Sequence, residues 1–241
     1  MNDLDTVTRI RTRINKDDDV VCIVPTLNES STVTEVVVMA KQFAHRVIVI
    51  DGHSQDDTVK KAWEAGAEII NQDGKGKGMA LRTVFDNIKG GVYVTIDGDA
   101  TYNPQEIGKL TQPILNGDVD VVIGSRLKGT MEAGSISKTN ILGNRFFNFL
   151  INLLYNGKIT DSQSGFRAMS RKAIESMNLS SEGFEIETEM TIKALIQGLR
   201  IREIPITYVR RRGSPSKLNS FKDGSRILKM IIRPSKQNLK H

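Results

Sequence analysis

The sequence predicts an α/β fold in which a mostly parallel sheet is flanked by helices. Short apolar, β-branched segments alternate with helical segments, a spacing that gives right-handed βαβ units. Polar residues also follow three of the predicted strands directly, at Pro25 to Glu29, at Asp51, and at Asp97 with Asp99. Because the carboxyl ends of parallel strands share one edge of a sheet, these residues predict a binding crevice there.

The elements of the N-terminal half follow a polar lead-in, residues 1–19. Strands are predicted at residues 20–24, 46–50, 67–71, 92–96 and 119–123. Helices are predicted at residues 32–44, around Trp63, from the 74–78 loop to about Ile88, and from Pro104 to about Asn116. Pro25 ends the first strand, and the serines at 30 and 31 are suitable N-caps for the first helix.

The pattern changes after the fifth strand. Gly124, Gly129 and Gly134, interspersed with serines, predict a mobile loop. Residues 161–167 are expected to form a polar loop before a short helix, and a further helix begins after Gly183. Residues 201–209 form the last predicted strand. We therefore expect one domain over residues 20–210, with halves 20–125 and 126–210, and a basic amphipathic segment at 211–241.

Helix 141–155 has an unusual composition. Asparagines recur every four residues, and nearly all other positions are apolar: Asn144, Asn148, Asn152 and Asn156. Such a helix would be about 22 Å long, too short to span a bilayer. Two interpretations remain open, a helix in the core or at a dimer interface, and a helix lying in a membrane interface. The N-terminus lacks the pattern of a signal peptide, and no apolar run is long enough to span a membrane.

Charge is unevenly distributed along the 241 residues, whose net charge is +6. Residues 210–241 contain ten Lys and Arg residues and one acid, Asp223, so this segment carries +9 and the remainder −3. Such a segment suits nucleic acid, anionic lipid or a phosphorylated substrate, and a solvated tail is the simpler alternative. The single cysteine, Cys22, lies in an apolar strand and excludes a disulfide framework.

Two motifs are ambiguous when taken alone. The Gly/Lys loop at residues 74–78 lacks the Walker pattern, because Met79 follows it, and it follows the third strand instead of the first. It is either a simple loop or an anion-binding loop with Lys77. Asp97 and Asp99 are either part of a tight turn or ligands for a hard divalent cation that also holds phosphate. The three histidines have no spacing typical of a zinc site.

Together, four motifs in this order resemble the nucleotide-sugar half of family 2 glycosyltransferases of the GT-A (Rossmann-like) fold. They are Pro25-Thr26-Leu27-Asn28-Glu29, then Asp51 with Ser54, Asp57 and Thr58, then Gly76-Lys77-Gly78, and Asp97-Gly98-Asp99. The downstream motifs are similar to the dolichyl-phosphate mannose synthase branch: Gly124-Ser125-Arg126, Asp161 with Ser164-Gly165-Phe166, Glu203-Ile204-Pro205-Ile206 and Ser216-Lys217-Leu218. The resemblance covers roughly residues 20–225.

This resemblance implies a donor site, a metal and candidate catalytic residues. The implied donor-binding residues are Pro25, Thr26, Asn28, Glu29, Asp51, Lys77 and Asp97. Asp97 and Asp99 would hold Mg²⁺ or Mn²⁺ on the diphosphate of the nucleotide sugar, GDP-mannose or UDP-glucose. The implied catalytic candidates are Asp99, Arg126, Glu187 and Glu189, with no choice made between the two glutamates.

The implied acceptor is a polyprenyl (dolichyl) phosphate. Its phosphate is largely dianionic at neutral pH, with a second pKa of about 6, so no strong general base is required. The residues expected to hold this phosphate are Arg210, Arg211, Arg212, Ser216 and Lys217. A single in-line displacement would invert the anomeric carbon. The apolar helix and the basic segment would act as acceptor-side, membrane-interface helices, with peripheral association at the cytoplasmic face and a possible homodimer.

The sequence departs from that branch at two points and leaves two alternatives. Thr101 stands where a glutamine often assists the metal, and this sequence shows none of the C-terminal transmembrane helices that many members carry. One alternative is therefore a soluble family 2 glycosyltransferase with a non-lipid acceptor. The other is a non-catalytic protein that binds nucleic acid or another partner through its basic tail. An aromatic content of 5% offers little for base stacking, and we expect no nucleic-acid partner.

Overall fold

The computed structural model of the protein describes residues 19–238, and the side chains of residues 19–233. The predicted polar lead-in at 1–19 therefore lies outside the described residues except for Asp19, and so do the last three residues of the basic segment.

One seven-stranded sheet, flanked by helices, confirms the predicted mostly parallel α/β fold. Its strands in chain order are β1 (Val20–Thr26), β2 (Arg46–Asp51), β3 (Glu68–Asn71), β4 (Val92–Thr95), β5 (Val121–Met131), β6 (Arg167–Ser170) and β7 (Ile201–Tyr208). The spatial order is β3-β2-β1-β4-β6-β5-β7. The helices are α1 (Val33–Ala40), α2 (Thr58–Glu64), α3 (Lys77–Asn87), α4 (Ile107–Leu115), α5 (Lys138–Tyr155), α6 (Arg171–Met177), α7 (Ile186–Ile196) and α8 (Ser220–Asn238). A 3₁₀ turn, Pro104–Glu106, precedes α4.

The register of the parallel strands brings the predicted polar strand ends to one edge. Thr26 at the end of β1 pairs with Asp51 at the end of β2, and Ile23 of β1 pairs with Thr95 of β4. The loops that follow β1, β2 and β4 therefore leave the sheet on the same side. The crevice expected from the sequence forms at this edge.

Alternating strand residues build two cores, one on each face of the sheet. Val24, Val49 and Val94 face α1 and α4, while Ile23 and Ile50 face α3 and α7. Cys22 is fully buried in the first core, and burial raises the pKa of its thiol to about 12, as expected for an unreactive core residue. A third, smaller cluster joins α5, α7 and α8: Ile151, Ile192, Ile227 and Ile231.

The structure corrects two predictions about the second half. β6 lies in the segment expected to be a polar loop and a short helix, and it runs antiparallel between β4 and β5. Residues 124–131 of the predicted mobile loop instead form the second half of β5, which pairs with β7 as far as Met131, and only residues 132–137 form a loop. The register shifts between Ser125 and Thr130, and there a Cβ on Gly129 would overlap the carbonyl oxygen of Ile206 at 1.9 Å. Gly129 thus permits an irregular strand.

Helix α5 has its polar stripe facing inwards and its apolar face facing outwards. Asn144 and Asn148 are buried, whereas Leu142 and Leu153 are 70% and 67% exposed and Phe149 is 60% exposed. This arrangement excludes the interpretation of α5 as an ordinary core helix. An apolar helix face of this size, open to solvent, is typical of a surface that binds a partner or a membrane.

The asparagines of α5 hold the backbone of residues 159–162. Asn148 donates to the carbonyl of Thr160 and accepts the N–H of Ser162 at 2.9 Å. Asn152 exchanges two hydrogen bonds with the backbone of Ile159, at 2.9 and 2.8 Å. The four-residue spacing of the stripe therefore serves a loop that has no regular secondary structure of its own.

Helix α8 forms from the basic segment and packs on α5. The hydroxyl of Tyr155 donates to the carbonyl of Ile231 at 2.6 Å, and Ile227 and Ile231 are buried between the helices. Within residues 19–238, no helix has the length and apolar character needed to cross a membrane.

The inverted polarity of α5 predicts opposite effects for two exchanges. Asn148→Leu should lower the free energy of unfolding by about 2–4 kcal/mol, because it leaves a buried carbonyl and a buried N–H without partners. Leu142→Asn, the reverse exchange on the exposed face, should change it by less than about 0.5 kcal/mol. Urea denaturation of the two variants measures both values. Equal losses would show that α5 does not face the protein as described.

Candidate active site

Asp51 organises the end of the crevice formed by β1 and β2. The residue is 2% exposed, and its carboxylate accepts hydrogen bonds from Thr26 Oγ1 at 3.1 Å, Ser54 Oγ at 2.6 Å and Ser54 N at 2.8 Å. Asn28, in the left-handed region with φ of 55°, donates its N–H to Ser54 Oγ. These bonds tie the loop after β1 to the loop after β2, and they hold the predicted nucleoside-binding residues together.

Glu29 is buried beside this network and faces the C-terminal loop. Its N–H donates to Thr58 Oγ1 at 2.8 Å, and its carboxylate accepts hydrogen bonds from Arg211 and from Ser214 Oγ. Burial raises the pKa of Glu29, with Arg211 opposing the shift and Asp99 adding to it. The positive charge of Arg211 therefore does not fully offset the burial of the Glu29 carboxylate.

Lys77, at the start of α3, bridges the two halves of the domain. Its Nζ lies 2.5 Å from Asp97 Oδ1 and 2.7 Å from Glu187 Oε1. Burial disfavours the charged ammonium, but the two carboxylates outweigh burial and raise the pKa of Lys77. Lys77 is therefore a fixed positive charge between β4 and α7.

Asp99 is oriented by the residue that replaces the expected glutamine. Thr101 donates to Asp99 Oδ1 from both its N–H, at 3.1 Å, and its hydroxyl, at 2.6 Å. Arg211 Nη1 donates to Asp99 Oδ2 at 2.5 Å. Burial and the neighbouring Asp97 raise the pKa of Asp99. Thr101 thus fixes the carboxylate of Asp99. This role does not require the threonine hydroxyl to bind a metal itself.

The ion pairs at this edge leave an excess of negative charge. Four carboxylates share two cations: Glu29, Asp97, Asp99 and Glu187 with Lys77 and Arg211. A divalent cation on Asp97 and Asp99 would match this excess in charge, and their oxygens are the hard ligands that Mg²⁺ and Mn²⁺ prefer. Among the described residues no cluster of three or more His, Cys, Asp or Glu is placed to hold a metal. The remaining ligands would have to come from a bound phosphate and water.

Glycines allow the two halves of the domain to approach closely around Lys77. A Cβ on Gly165 would lie 2.7 Å from Lys77 Nζ and 3.0 Å from Asp97 Oδ2. Cβ atoms on Gly76 and Gly78 would each lie 2.4 Å from a carbonyl oxygen of residues 181–182. The Gly/Lys loop is therefore a packing surface that presents Lys77 to Asp97 and Glu187.

Arg126 stands on the other side of Asp97 and Asp99. It forms a bidentate ion pair with Asp161, from Nε at 2.9 Å and Nη2 at 2.8 Å, and its guanidinium lies 5.3 Å from the ring centre of Tyr208. Asn144 of α5 donates to the same carboxylate at 2.7 Å. The asparagine stripe thus extends to the residue that orients Arg126.

Two adjoining cavities meet at Asp97 and Asp99. The first, of about 530 Å³, contains the strand-end residues, including Pro25, Thr26, Glu29, Gly52 and Gln72. The second, of about 420 Å³, lies on the side of Arg126 and Glu187 and extends to α5 and α8. Lys77, Arg211 and Ser216 line both cavities. The geometry suits two ligands that meet at the paired aspartates.

The structure does not bring every predicted site residue to these cavities. The Glu189 carboxylate points away and accepts hydrogen bonds from the backbone of Ser180 and Ser181, so it has a structural role. Arg210 binds the carbonyl of Ala133, and Arg212 pairs with Glu35 at 2.8 Å, both outside the cavities. Of the five residues predicted to hold an acceptor phosphate, Arg211, Ser216 and Lys217 line a cavity.

Sequence analysis missed several residues that shape the site. Gln72 directly follows β3, just as Asp51 stands at the end of β2, and the strand-end rule would have identified it. Its N–H donates to the carbonyl of Asp51 at 3.0 Å. Ser214 contacts both Glu29 and Arg211, and nothing in the sequence indicates that the loop after β7 crosses back to the loop after β1. That contact depends on the tertiary fold.

Comparison with known proteins relates this arrangement to glycosyltransferases. The sequence model described as Glycosyl transferase family 2 matches residues 21–177. "Glycosyltransferase AglJ" of Haloferax volcanii is 37% identical over 225 residues, which cover 91% of this chain and 73% of that protein. "Dolichyl-phosphate hexose transferase" of the same organism is 30% identical over 219 residues, covering 90% of this chain and 93% of that protein.

A solved structure shares the fold. Glucosyl-3-phosphoglycerate synthase from Mycobacterium tuberculosis, crystallised with Mn²⁺, UDP-glucose and phosphoglyceric acid, superposes with a TM-score of 0.73 at 22% identity. The match covers 90% of this chain and 80% of that chain. The predicted GT-A architecture is thereby confirmed.

The two glutamates of α7 should respond differently to the same exchange. Glu189→Gln should lower the free energy of unfolding by about 1–3 kcal/mol at neutral pH, because a buried N–H loses its charged acceptor. Although burial opposes it, bonding to Lys193 and Ser180 lowers the pKa of Glu189 below 4.5, so this contribution is present above pH 4.5 and is lost as the pH falls below it. Glu187→Gln should lower the free energy of unfolding by less, because Lys77 keeps its ion pair with Asp97. Denaturation at several pH values compares them, and equal losses would contradict the assignment.

Proposed function

The chain belongs to glycosyl transferase family 2, and we propose that it transfers a hexose, mannose or glucose, from a nucleotide sugar to a polyprenyl phosphate at the cytoplasmic face of a membrane. The observation that carries the proposal is the meeting of two cavities at Asp97 and Asp99, one beneath the strand ends and one opening towards α5 and α8. The similarity to a dolichyl-phosphate hexose transferase over 93% of that protein supports the acceptor class.

The donor would occupy the first cavity. Pro25, Thr26, Leu27 and Glu29 line it and offer donors and acceptors for a base and ribose, with UDP-glucose and GDP-mannose as the sugar nucleotides to test. The predicted donor-binding residues Asn28 and Asp51 line neither cavity, and they act by holding Thr26 and Ser54 in place. The diphosphate would then lie near Asp97, Asp99 and Lys77. Lys217, whose ammonium contacts Ser214 at 2.8 Å, lies at the same cavity and adds positive charge beside the phosphates.

Asp97 and Asp99 are the residues that would hold Mg²⁺ or Mn²⁺, which when bound offsets the charge on the departing nucleoside diphosphate. Arg211 and Lys77 already lie on these carboxylates as cations. If a metal took their place on Asp97 and Asp99, Glu187 would still hold Lys77 and Glu29 would still hold Arg211. Both cations would then stay beside the phosphate groups.

The acceptor phosphate would occupy the second cavity. An oxygen of this phosphate attacks the anomeric carbon, the bond to the nucleoside diphosphate breaks, and the leaving group departs with the bonding electrons, which inverts the carbon. The ionised phosphate needs no base. Because Arg210 and Arg212 point elsewhere, we assign the holding of this phosphate to Arg126, Arg211 and Ser216, with the first turn of α5 nearby.

The exposed face of α5 supports attachment to a membrane surface. Leu142, Phe146, Phe149 and Leu153 lie on one side at helical spacing and are half or more exposed. α8, which packs on α5, carries Lys222, Arg226, Lys229 and Arg233, and each of these that meets an anionic leaflet would contribute roughly 1 kcal/mol of attraction. The single buried cysteine is compatible with a reducing compartment.

Transfer activity should depend on Asp99. With Mn²⁺, a radiolabelled nucleotide sugar and dolichyl phosphate, the wild-type chain should form label that extracts into organic solvent. Asp99→Asn should reduce the rate by about a hundredfold or more, since it weakens charge stabilisation at the leaving group. Asp118→Asn, in an exposed pair with Arg202 at 3.6 Å, is the matched control and should retain the rate.

Absence of lipid-linked label with every nucleotide sugar would refute the polyprenyl phosphate acceptor. Formation of a labelled water-soluble product by the same protein would instead favour a non-lipid acceptor. An unchanged rate in Asp99→Asn would refute the assigned role of the paired aspartates.

Membrane binding should depend on the outward face of α5. Phe146→Asn with Phe149→Asn should abolish flotation with liposomes that contain phosphatidylglycerol, because both side chains would leave water for the interface. Trp63→Asn, an exchange at a 69% exposed aromatic residue on α2, should float as the wild type does. Two results together would assign this face to a second copy of the chain. The double variant would float as the wild type does, and ultracentrifugation would show a wild-type dimer that the double exchange disrupts.

A further inference from the structure

The second cavity has two chemically different ends. Its inner end is lined by ionised groups: Lys77, Asp97, Asp99, Arg126, Glu187 and Arg211. Its outer end lies between α5 and α8, where Ile141, Phe147, Leu218 and Ile227 form the wall. An occupant that fits both ends carries charge at one end and hydrocarbon at the other.

Three polar side chains at the first turns of α5 and α8, those of Asn140, Ser220 and Asp223, are already bonded within the protein. Ser220 Oγ donates to Asn140 Oδ1 at 3.0 Å, which links the first turns of α5 and α8. The Asp223 carboxylate accepts the N–H of Asn219 at 2.8 Å and so caps α8. These groups need no ligand, which leaves the apolar wall to determine what passes between the helices.

Two glycines, one on each helix, line this outer end. A Cβ added to Gly143 would meet no atom within 4 Å, and one added to Gly224 would meet only Phe147, at 3.9 Å. Both positions therefore border open space. Gly143 precedes Phe146 by three residues and Gly224 follows Phe221 by three, so each glycine shares a helix face with an exposed aromatic residue. Phe146 is 50% exposed and Phe221 91% exposed.

We propose that Gly143 and Gly224 form a passage through which the hydrocarbon chain of the acceptor leaves the active site and reaches the exposed apolar face of α5. This inference rests on the proposed function, because it assumes an acceptor with a phosphate head and a long prenyl chain. The phosphate lies at the ionised inner end, the first isoprene units lie between the glycines, and the rest of the chain continues past Phe146 and Phe221. The two glycines then determine whether a long-chain acceptor fits.

Leucine at either glycine tests the passage without disturbing the fold. Gly143→Leu and Gly224→Leu each place a side chain in open space inside a helix, where leucine is far more favourable than glycine. Both variants should therefore melt at or above the wild-type temperature. Gly108→Leu is the matched control, since its Cβ would also meet nothing within 4 Å and it lies on α4, outside both cavities.

The measurement compares two acceptors of different length in the same detergent. With dolichyl phosphate, each passage variant should show a kcat/KM reduced by about tenfold or more, whereas Gly108→Leu should match the wild type. With dimethylallyl phosphate, which has a single isoprene unit, all variants should match the wild type. The KM for the nucleotide sugar and the liposome flotation of the variants should also remain unchanged.

Each other outcome overturns the inference and identifies its fault. If the wild type uses dolichyl phosphate and the passage variants do so equally well, the chain leaves by another route while the proposed function stands. Equal loss with both acceptors would place the effect on the catalytic groups. If the wild type transfers to no polyprenyl phosphate, the proposed function fails and this inference fails with it.

Discussion

The arrangement of this protein depends on a set of buried ion pairs in which carboxylates outnumber cations. Asp97 and Glu187 share Lys77, and Asp99 and Glu29 share Arg211. These pairs connect β4, α3, α7 and the loops after β1 and β7, so they join both halves of the chain at one edge of the sheet. Burial, together with a neighbouring carboxylate, raises the pKa of Asp99 and of Glu29. A divalent cation held by Asp97 and Asp99 would match this excess of negative charge.

Helix α5 connects this charged edge to the surface. Its inward asparagines fix residues 159–162 and, through Asp161, the guanidinium of Arg126. Its outward face exposes leucine and phenylalanine. The same helix therefore positions a cation of the active site and presents an apolar surface. These two tasks explain why its composition differs from that of a core helix and of an ordinary surface helix. The lipid acceptor proposed above would use both properties at once.

The sequence predicted the parts of the fold that depend on local pattern. Strand periodicity located β1, β2 and β4, and the rule about carboxyl ends placed Asp51, Asp97 and Asp99 together. β6 was missed because four residues, of which Arg167 is fully buried, carry too short a pattern. The Arg167 guanidinium donates to the carbonyls of Ser162 and Ser164, a partnership that only the fold reveals. For the same reason the directions of Arg210, Arg211 and Arg212 were beyond prediction, since adjacent arginines bind Ala133, Asp99 and Glu35 in three separate places.

One divalent cation, held together with a nucleoside diphosphate, would match the excess negative charge at Asp97 and Asp99. Electron paramagnetic resonance measures this binding directly, because the signal of free Mn²⁺ in water disappears on binding. We predict that the protein with UDP or GDP removes one equivalent of Mn²⁺ from solution, and that Asp97→Asn with Asp99→Asn removes none beyond what the nucleotide alone binds. Equal binding by the wild type and the double variant would contradict the account.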